Sequence, residues 1–266
     1  MMNLEDLSDV AVRLSIFVGL LVLMSVLEAL APLRVRIQKR SDRWIANLGL
    51  VILGSLAIRL LGPFTAVIAA GLAITNGWGL IPMLNLPFYI EIVLAVVLLD
   101  LALYGQHVAS HKIPFIWRFH QVHHADRDMD ATTGVRFHPV ESVLSMLYKS
   151  VVVIILGPAV IAVVAFEVIL NASALFNHAN LRLPRWLDAI LRILFVTPDM
   201  HSVHHSVLPN ETNSNYGFFL SIWDKIFSSY IAHPKLKPDS INIGLPIYQS
   251  EEPSSLWWNL KLPIQR

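Results

Sequence analysis

Histidine is where this sequence could do chemistry. Ten of its 11 histidines lie between His107 and His205. They fall as His107-x-x-x-His111, His120-x-x-His123-His124, single His138 and His178, and His201-x-x-His204-His205. Residues three or four apart on a helix share a face, about one turn apart. A metal clamped from a helix needs that spacing, because imidazoles must converge from successive turns. One such pair would be weak evidence. Three clusters, two of them repeating His-x-x-His-His, are strong evidence. About eight to ten imidazoles exceed what one ion binds, since zinc takes four ligands and iron up to six. Two ions fit better than one. An all-imidazole set suits Fe, Zn, Cu or Ni.

Several other chemistries are excluded. There is no cysteine, so disulfides, thiolate-ligated haem, Cys-bound iron–sulfur clusters and Cys nucleophiles are out. No His-Glu-x-x-His motif supplies a metalloprotease base. A facial triad of two histidines and a carboxylate would leave too many histidines unused. Net charge is +1, so no basic field marks a nucleic-acid binder. Gly77 and Gly79 lack the strand–turn–helix setting of a dinucleotide loop. Two rivals from other classes stand beside a redox enzyme. A dizinc hydrolase would want bridging carboxylates, for which Asp126, Asp128, Asp130 and Asp199 are the nearby candidates. A metal transporter would place polar residues along its spans at midplane, whereas here the histidines sit past the span ends.

The elements that must position these histidines are membrane helices. Hydrophobic residues make up 55% of the chain and charged residues 15%, against roughly a quarter charged in soluble domains. An apolar run covers residues 16–33, with Glu28 as its one charge, and others cover 44–61, with Arg59 near the far end, 87–104 and 143–176. A span needs about 20 residues. The first three runs fit one helix each. The last fits a hairpin of two short or tilted helices broken at Gly157-Pro158. Acidic Glu5, Asp6 and Asp9 ahead of the first run argue against a cleaved signal peptide. Between the first two runs stand Arg34, Arg36, Lys39, Arg40 and Arg43, which places that loop in the cytoplasm. Every histidine box then falls on the cytoplasmic side. Residues 62–86, rich in Gly and Pro, read as an outer loop or a shallow interfacial helix. No sustained period-two pattern predicts a sheet.

Other residues gain meaning from their place beside the boxes. Asp100, Tyr104, His107 and His111 form one stripe along the third span. Asp100 is expected to accept a ligand imidazole N–H and fix its tautomer. Asn215 and Asp224 are candidates for orienting ligand histidines. Glu141 could be a ligand, an orienting base, or a helix-start carboxylate placed for the dipole. Phe219, Ile222 and Ile226 have packing spacing. His233 lies outside every box and reads as a surface residue. Trp186, Trp257 and Trp258 read as an interfacial belt.

The segments HVASHKIPFIWRFHQVHH, RFHPVE, FNHAN and HSVHHSVLPNETNSNYGFFLSIWDKIF resemble the fatty acid hydroxylase/sterol desaturase superfamily of integral-membrane di-iron enzymes. The likeness covers about residues 91–233, and RWIANLGL and IGLP add to it. Val108 stands where many members have Arg, and FSSY replaces Phe-Gly-Thr. The resemblance implies an all-α protein with about four transmembrane helices under a cytoplasmic histidine-rich cap. It implies two irons, with dioxygen as cosubstrate, acting on a lipid C–H bond to give hydroxylation or desaturation. Carried over by motif, His107 and His111 match the first box, His120, His123 and His124 the second, and His201, His204 and His205 the third. His178 matches the Asn-His stretch, and His138 a Phe-His-Pro position the family also uses. Zinc outcompetes ferrous iron at nitrogen ligands and can occupy such a site in purified samples.

The expected organisation is an N-terminal membrane region at 1–90, a catalytic domain at 91–235 and a C-terminal cytoplasmic tail at 236–266. The cap is expected from residues 105–142 and 177–235. With no flavin, nicotinamide or haem-binding segment in the sequence, electrons are expected from a separate protein docking at the cytoplasmic face. The substrate is expected to be an apolar lipid entering from the bilayer.

Overall fold

Apolar runs without internal proline fold here as helices, and the Gly and Pro positions between them set the joints. The computed structural model describes residues 4–60, 62 and 64–265, with side chains from Ala11 onward. Leu61, Pro63 and the side chains of Glu5, Asp6 and Asp9 lie outside it. In chain order come α1 (Leu4–Leu30), α2 (Arg40–Leu60), α3 (Ala66–Asn76), α4 (Phe88–Lys112), α5 (Pro114–His124), α6 (Pro139–Leu156) and α7 (Val160–Asn177). Shorter helices follow: α8 (Arg185–Leu191), α9 (Pro198–His204), α10 (Pro209–Thr212), α11 (Ile222–Ile226) and α12 (Leu256–Lys261). Among the described residues there is no sheet, only three isolated bridges.

Five helices are long and apolar enough to cross a bilayer: α1 from Ala11, α2, α4, α6 and α7. The expectation was about four. The hairpin block supplies two helices of 18 residues each, joined where Gly157 takes φ +62°. That joint is crowded. A Cβ on Gly157 would lie 2.3 Å from the Trp78 carbonyl oxygen, and one on Gly79 2.3 Å from the Gly157 Cα. Glycine at both positions lets segment 78–81 bond onto the hairpin through Leu80 N–H to Ile155 O and Ile81 N–H to Leu156 O. The undecided segment 62–86 therefore contains a helix, α3. Of its small buried stripe of Ala66, Ala69, Ala70 and Ala73, the first three pack with Leu99, Leu103, Val153, Val163 and Phe166 in the core between spans.

The cap is tied to the spans by buried charge. Arg43 of α2 is fully buried. It makes a bidentate pair with Asp126 at 2.7 and 2.8 Å and bonds Asp130 at 2.6 Å. Burial works to raise the Asp126 pKa, but Arg43 and Arg136 outweigh it and hold the carboxyl down at about 2. Asn47, one turn further along α2, bonds Asp126, Thr132 and Arg136. Glu28, near the C-terminal end of α1, accepts the Ala131 and Asn180 N–H groups at 2.7 and 2.9 Å. It thereby fixes the chain beside both the second box and His178. The segment expected as a tail is folded onto the cap. Leu245 and Leu262 pack with Leu50, Val122 and Ala125, and Arg136 bonds Pro253 O and Asn259 Oδ1.

Candidate metal centre

Nine histidines converge in the cap and divide into two groups. His107, His111, His120, His124 and His204 form one; His123, His178, His201 and His205 form the other. Within each group the ligand nitrogens lie within 4.8 Å of one another. The division follows helical geometry. The i,i+4 pair His120/His124 belongs to the first group, and the intervening His123 to the second. In the third box the arrangement is reversed. His201 and His205 belong to the second group, and His204 crosses to the first. Each His-x-x-His-His motif thus feeds both groups, and the rings of His124 and His205 stack across the divide at 4.5 Å.

The α4 stripe brings His107 and His111 to the first group. α5 follows after a single residue, its first position taken by Pro114, where a missing N–H costs nothing. The third box is carried by α9, capped by Thr197, whose hydroxyl accepts from Met200 N–H. His178 ends α7, and the close approach beside it requires Gly134. A Cβ there would meet Ala174 O at 2.4 Å and His178 Nδ1 at 3.2 Å.

Four rings are oriented through Nδ1. His107 donates to Tyr216 O at 2.7 Å, His204 to Ser214 O at 2.7 Å and His178 to Ala174 O at 2.8 Å. His120 donates to Glu141 Oε1 at 2.6 Å. A carbonyl or carboxylate can only accept, so each of these rings keeps its Nε2 lone pair for another partner. Burial, reinforced by neighbouring imidazoles, pushes His123, His124, His201 and His205 well below the ordinary histidine range. Burial likewise takes His178 to about 4 and His204 to about 3. The neutral, metal-binding form is therefore the resting form at pH 7.

The donor set fits metal ions. Among the described residues, buried nitrogens without a hydrogen-bond partner include Nε2 of His107, His111, His120 and His204, and both nitrogens of His124 and His205. An unpaired buried polar atom costs about 1–3 kcal/mol, so a cap holding so many needs something to bind them. His178 Nε2 lies 3.1 Å from Nε2 of both His123 and His201. Nitrogens sharing an ion at bonds of about 2.0–2.1 Å would stand about that far apart.

The remaining predicted residues act at one remove or elsewhere. His138 stands outside both groups, as the N-cap of α6, where its Nδ1 accepts from Val140 N–H at 3.2 Å. Asp100 reaches no imidazole. Its carboxylate accepts the N–H groups of Phe219 and Leu220 and the Trp223 indole at 2.8 Å. The expected direct contact is replaced by a clamp on the loop after the third box. Asp224 accepts Tyr216 and Gly217 N–H at 2.7 and 2.9 Å, setting the carbonyl that orients His107. Asn215, at φ +49°, bonds Met200 O and both polar backbone groups of Ile231. The four aspartates considered as bridges are engaged elsewhere. Asp126 and Asp130 pair with Arg43, Asp128 accepts Ile37 and Gln38 N–H, and Asp199 pairs with Arg192. His233 lines a separate surface cleft. The orienting carbonyls of Tyr216, Ser214 and Ala174 had no sequence signal, since every residue carries one. Glu141 had one, its place at a helix start three residues after His138.

A cavity of about 180 Å³ runs from His107 and His120 down between α2, α4, α6 and α7, past Phe137, Ser145 and Leu170 to Lys149.

Apolar helices of this number with two buried all-histidine groups above them define a multi-pass membrane protein carrying a candidate dinuclear metal site. The model of the family described as fatty acid hydroxylase matches residues 92–229. The chain belongs to that family. It is 28% identical over 159 residues to an ornithine lipid hydroxylase of Rhizobium tropici, covering 60% of this chain and 46% of that protein. It is 29% identical over 136 residues to an alkylglycerol monooxygenase of Xenopus tropicalis, covering 50% and 28%. A very-long-chain aldehyde decarbonylase of Oryza sativa subsp. japonica is 28% identical over 179 residues, covering 61% and 28%. The chain thus spans less than half the length of these relatives. No solved structure matches it.

Proposed function

We propose that the protein is a membrane-bound lipid oxygenase whose nine converging histidines hold two iron ions. The observation that carries this reading is the pair of all-histidine groups at the head of a cavity that descends between membrane-length helices. Iron bound there would supply the activation of dioxygen against a C–H bond. The relatives are named for hydroxylation and monooxygenation of lipids, which favours the same reaction class.

The chain's own residues do the rest. Tyr216 O, Ser214 O, Ala174 O and Glu141 hold four rings with Nε2 inward. Asp224 and Asp100 fix the loop that carries Tyr216. The cavity walls keep a lipid chain beside His107 and His120 and exclude water from the reacting carbon. Whether one oxygen is inserted or two hydrogens are removed depends on placement of that carbon. A separate electron-transfer protein would deliver electrons at the cap. The cations at Arg34–Arg43 favour a cytoplasmic cap, by the bias of Lys and Arg toward that side.

The dizinc-hydrolase alternative loses support because both groups contain histidine alone and the nearby aspartates are paired elsewhere. The transporter alternative loses support because the histidines lie in the cap.

Iron content and lipid-dependent O2 uptake of a reduced, detergent-solubilised sample test the proposal. The expected outcome is iron bound with O2 consumed only when lipid is present. Tight zinc with ester or amide hydrolysis and no O2 uptake would contradict it.

A further inference from the structure

The cavity that begins at His107 and His120 ends on a cation. Lys149 lies on α6 eight residues beyond Glu141 (149 − 141), about 12 Å along the axis at 1.5 Å per residue. That depth is well inside a membrane-length helix, where a charge is costly without a partner. Among the described residues Lys149 makes no hydrogen bond and no close ion pair. The carboxylate whose charge acts on it is Glu167, which is already engaged by Arg13 of α1. The cluster of Arg13, Lys149 and Glu167 therefore carries one positive charge in excess. Further polar groups face the same space. Asn171 lines it, and so does Gln106, whose Oε1 accepts from Ser145 Oγ at 3.4 Å, leaving its amide N–H groups to donate.

We infer that Lys149, supported by Asn171 and Gln106, is a specificity residue that binds an anionic oxygen group of the lipid substrate. The substrate is then a chain with a carboxylate or phosphate end. That end is anchored at Lys149, and the chain lies along the cavity toward the histidines. One anion neutralises the excess charge, and the donors match carboxylate and phosphate alike. This inference rests on the proposed lipid oxygenase for its purpose, but binding at Lys149 needs neither metal nor turnover.

The test uses the full chain, metal-free, in nanodiscs, with three probes of equal chain length: palmitate, hexadecyl phosphate and hexadecanol. Binding is read as competition against a fluorescent fatty acid. The charged probes are expected to bind about ten-fold or more tightly than the alcohol, as for a charge-assisted hydrogen bond. The arm that binds best identifies the carboxylate or the phosphate source. Lys149→Met should erase the preference while leaving hexadecanol unchanged, and Lys149→Arg should retain it. Equal binding of all three probes to the unmodified protein would overturn the inference without recourse to a variant, and so would an undiminished preference in Lys149→Met. In metal-loaded protein, oxygen should enter at a fixed carbon count from the charged end in myristate, palmitate and stearate. Failure of O2 uptake with every lipid, alongside an intact binding preference, would count against the oxygenase and not against the anion site.

Discussion

The His120 Nδ1–H group donates to Glu141 Oε1 at 2.6 Å, and the other oxygen of that carboxylate, Oε2, is buried without a hydrogen-bond partner. A cap residue and the first turn of a membrane-length helix are thereby joined through one proton. The bond leaves the His120 Nε2 lone pair free toward its group and fixes the ring's orientation. Glu141→Leu should weaken metal binding at the His107 group by about 10–100-fold while the His123 group keeps its ion. Chelator competition followed by metal analysis would check this. Equal loss from both groups would point to misfolding of the cap.

Arg43 and its aspartates form a buried lock between α2 and the chain just after the second box. Removing one partner of such a pair leaves charge uncompensated, a loss of about 3–5 kcal/mol. Arg43→Met should lower the melting temperature of the cap while membrane insertion persists. The measurement is near-UV circular dichroism against a protease-protection assay. An unchanged melting curve would contradict the assigned role.

How far these contacts were legible depends on whether they are local. The boxes were readable because helical spacing fixes which rings share a face, and Pro139 and Gly157 marked the ends of α6. The Arg43, Trp44, Asn47 signature was visible as a motif, but its partners Asp126 and Asp130 lie 83 and 87 residues away. Sequence spacing says nothing about such a distance. Asp100 shares the α4 stripe with His107 and His111, yet its partners are two backbone N–H groups and the Trp223 indole of a returning segment, more than 100 residues away in sequence. His138 resembles a ligand in sequence because it precedes Pro139 at a helix start, and that position makes it a cap.

Asp224 reaches the metal centre through the backbone. It holds Tyr216 and Gly217 N–H, and Tyr216 O holds His107. Asp224→Ala should destabilise the loop by about 1–3 kcal/mol and lower activity. Asp224→Asn, which keeps one acceptor oxygen, should recover part of both. If Asp224→Ala left activity and hydrogen exchange at Tyr216 unchanged, the loop would not be the positioning element.

Stability of the metal-free cap should fall with acid. The folded-state pKa values of His178 and His204, about 4 and about 3, lie below the ordinary histidine value of 6.5. Above 6.5 neither state binds the proton and these groups contribute nothing. Below it only the unfolded chain does, so stability is lost as pH falls from 6.5 toward those values. Each such histidine removes about 1.4 kcal/mol per pH unit. Melting of chelator-treated protein across this window measures it. A melting temperature that holds or rises between pH 6.5 and about 5 would contradict the buried neutral rings.

The central claim is that the histidines form two separate metal sites. Metal stoichiometry of single-site variants tests it most directly, because His204 and His205 are neighbours assigned to different groups. The unmodified protein should bind two ions per chain. His204→Ala should weaken the ion of the His107 group and His205→Ala that of the His123 group, each leaving the other ion in place. His233→Ala should keep both. A single ion per chain in the unmodified protein, or one lost equally in both variants, would contradict the two-site assignment.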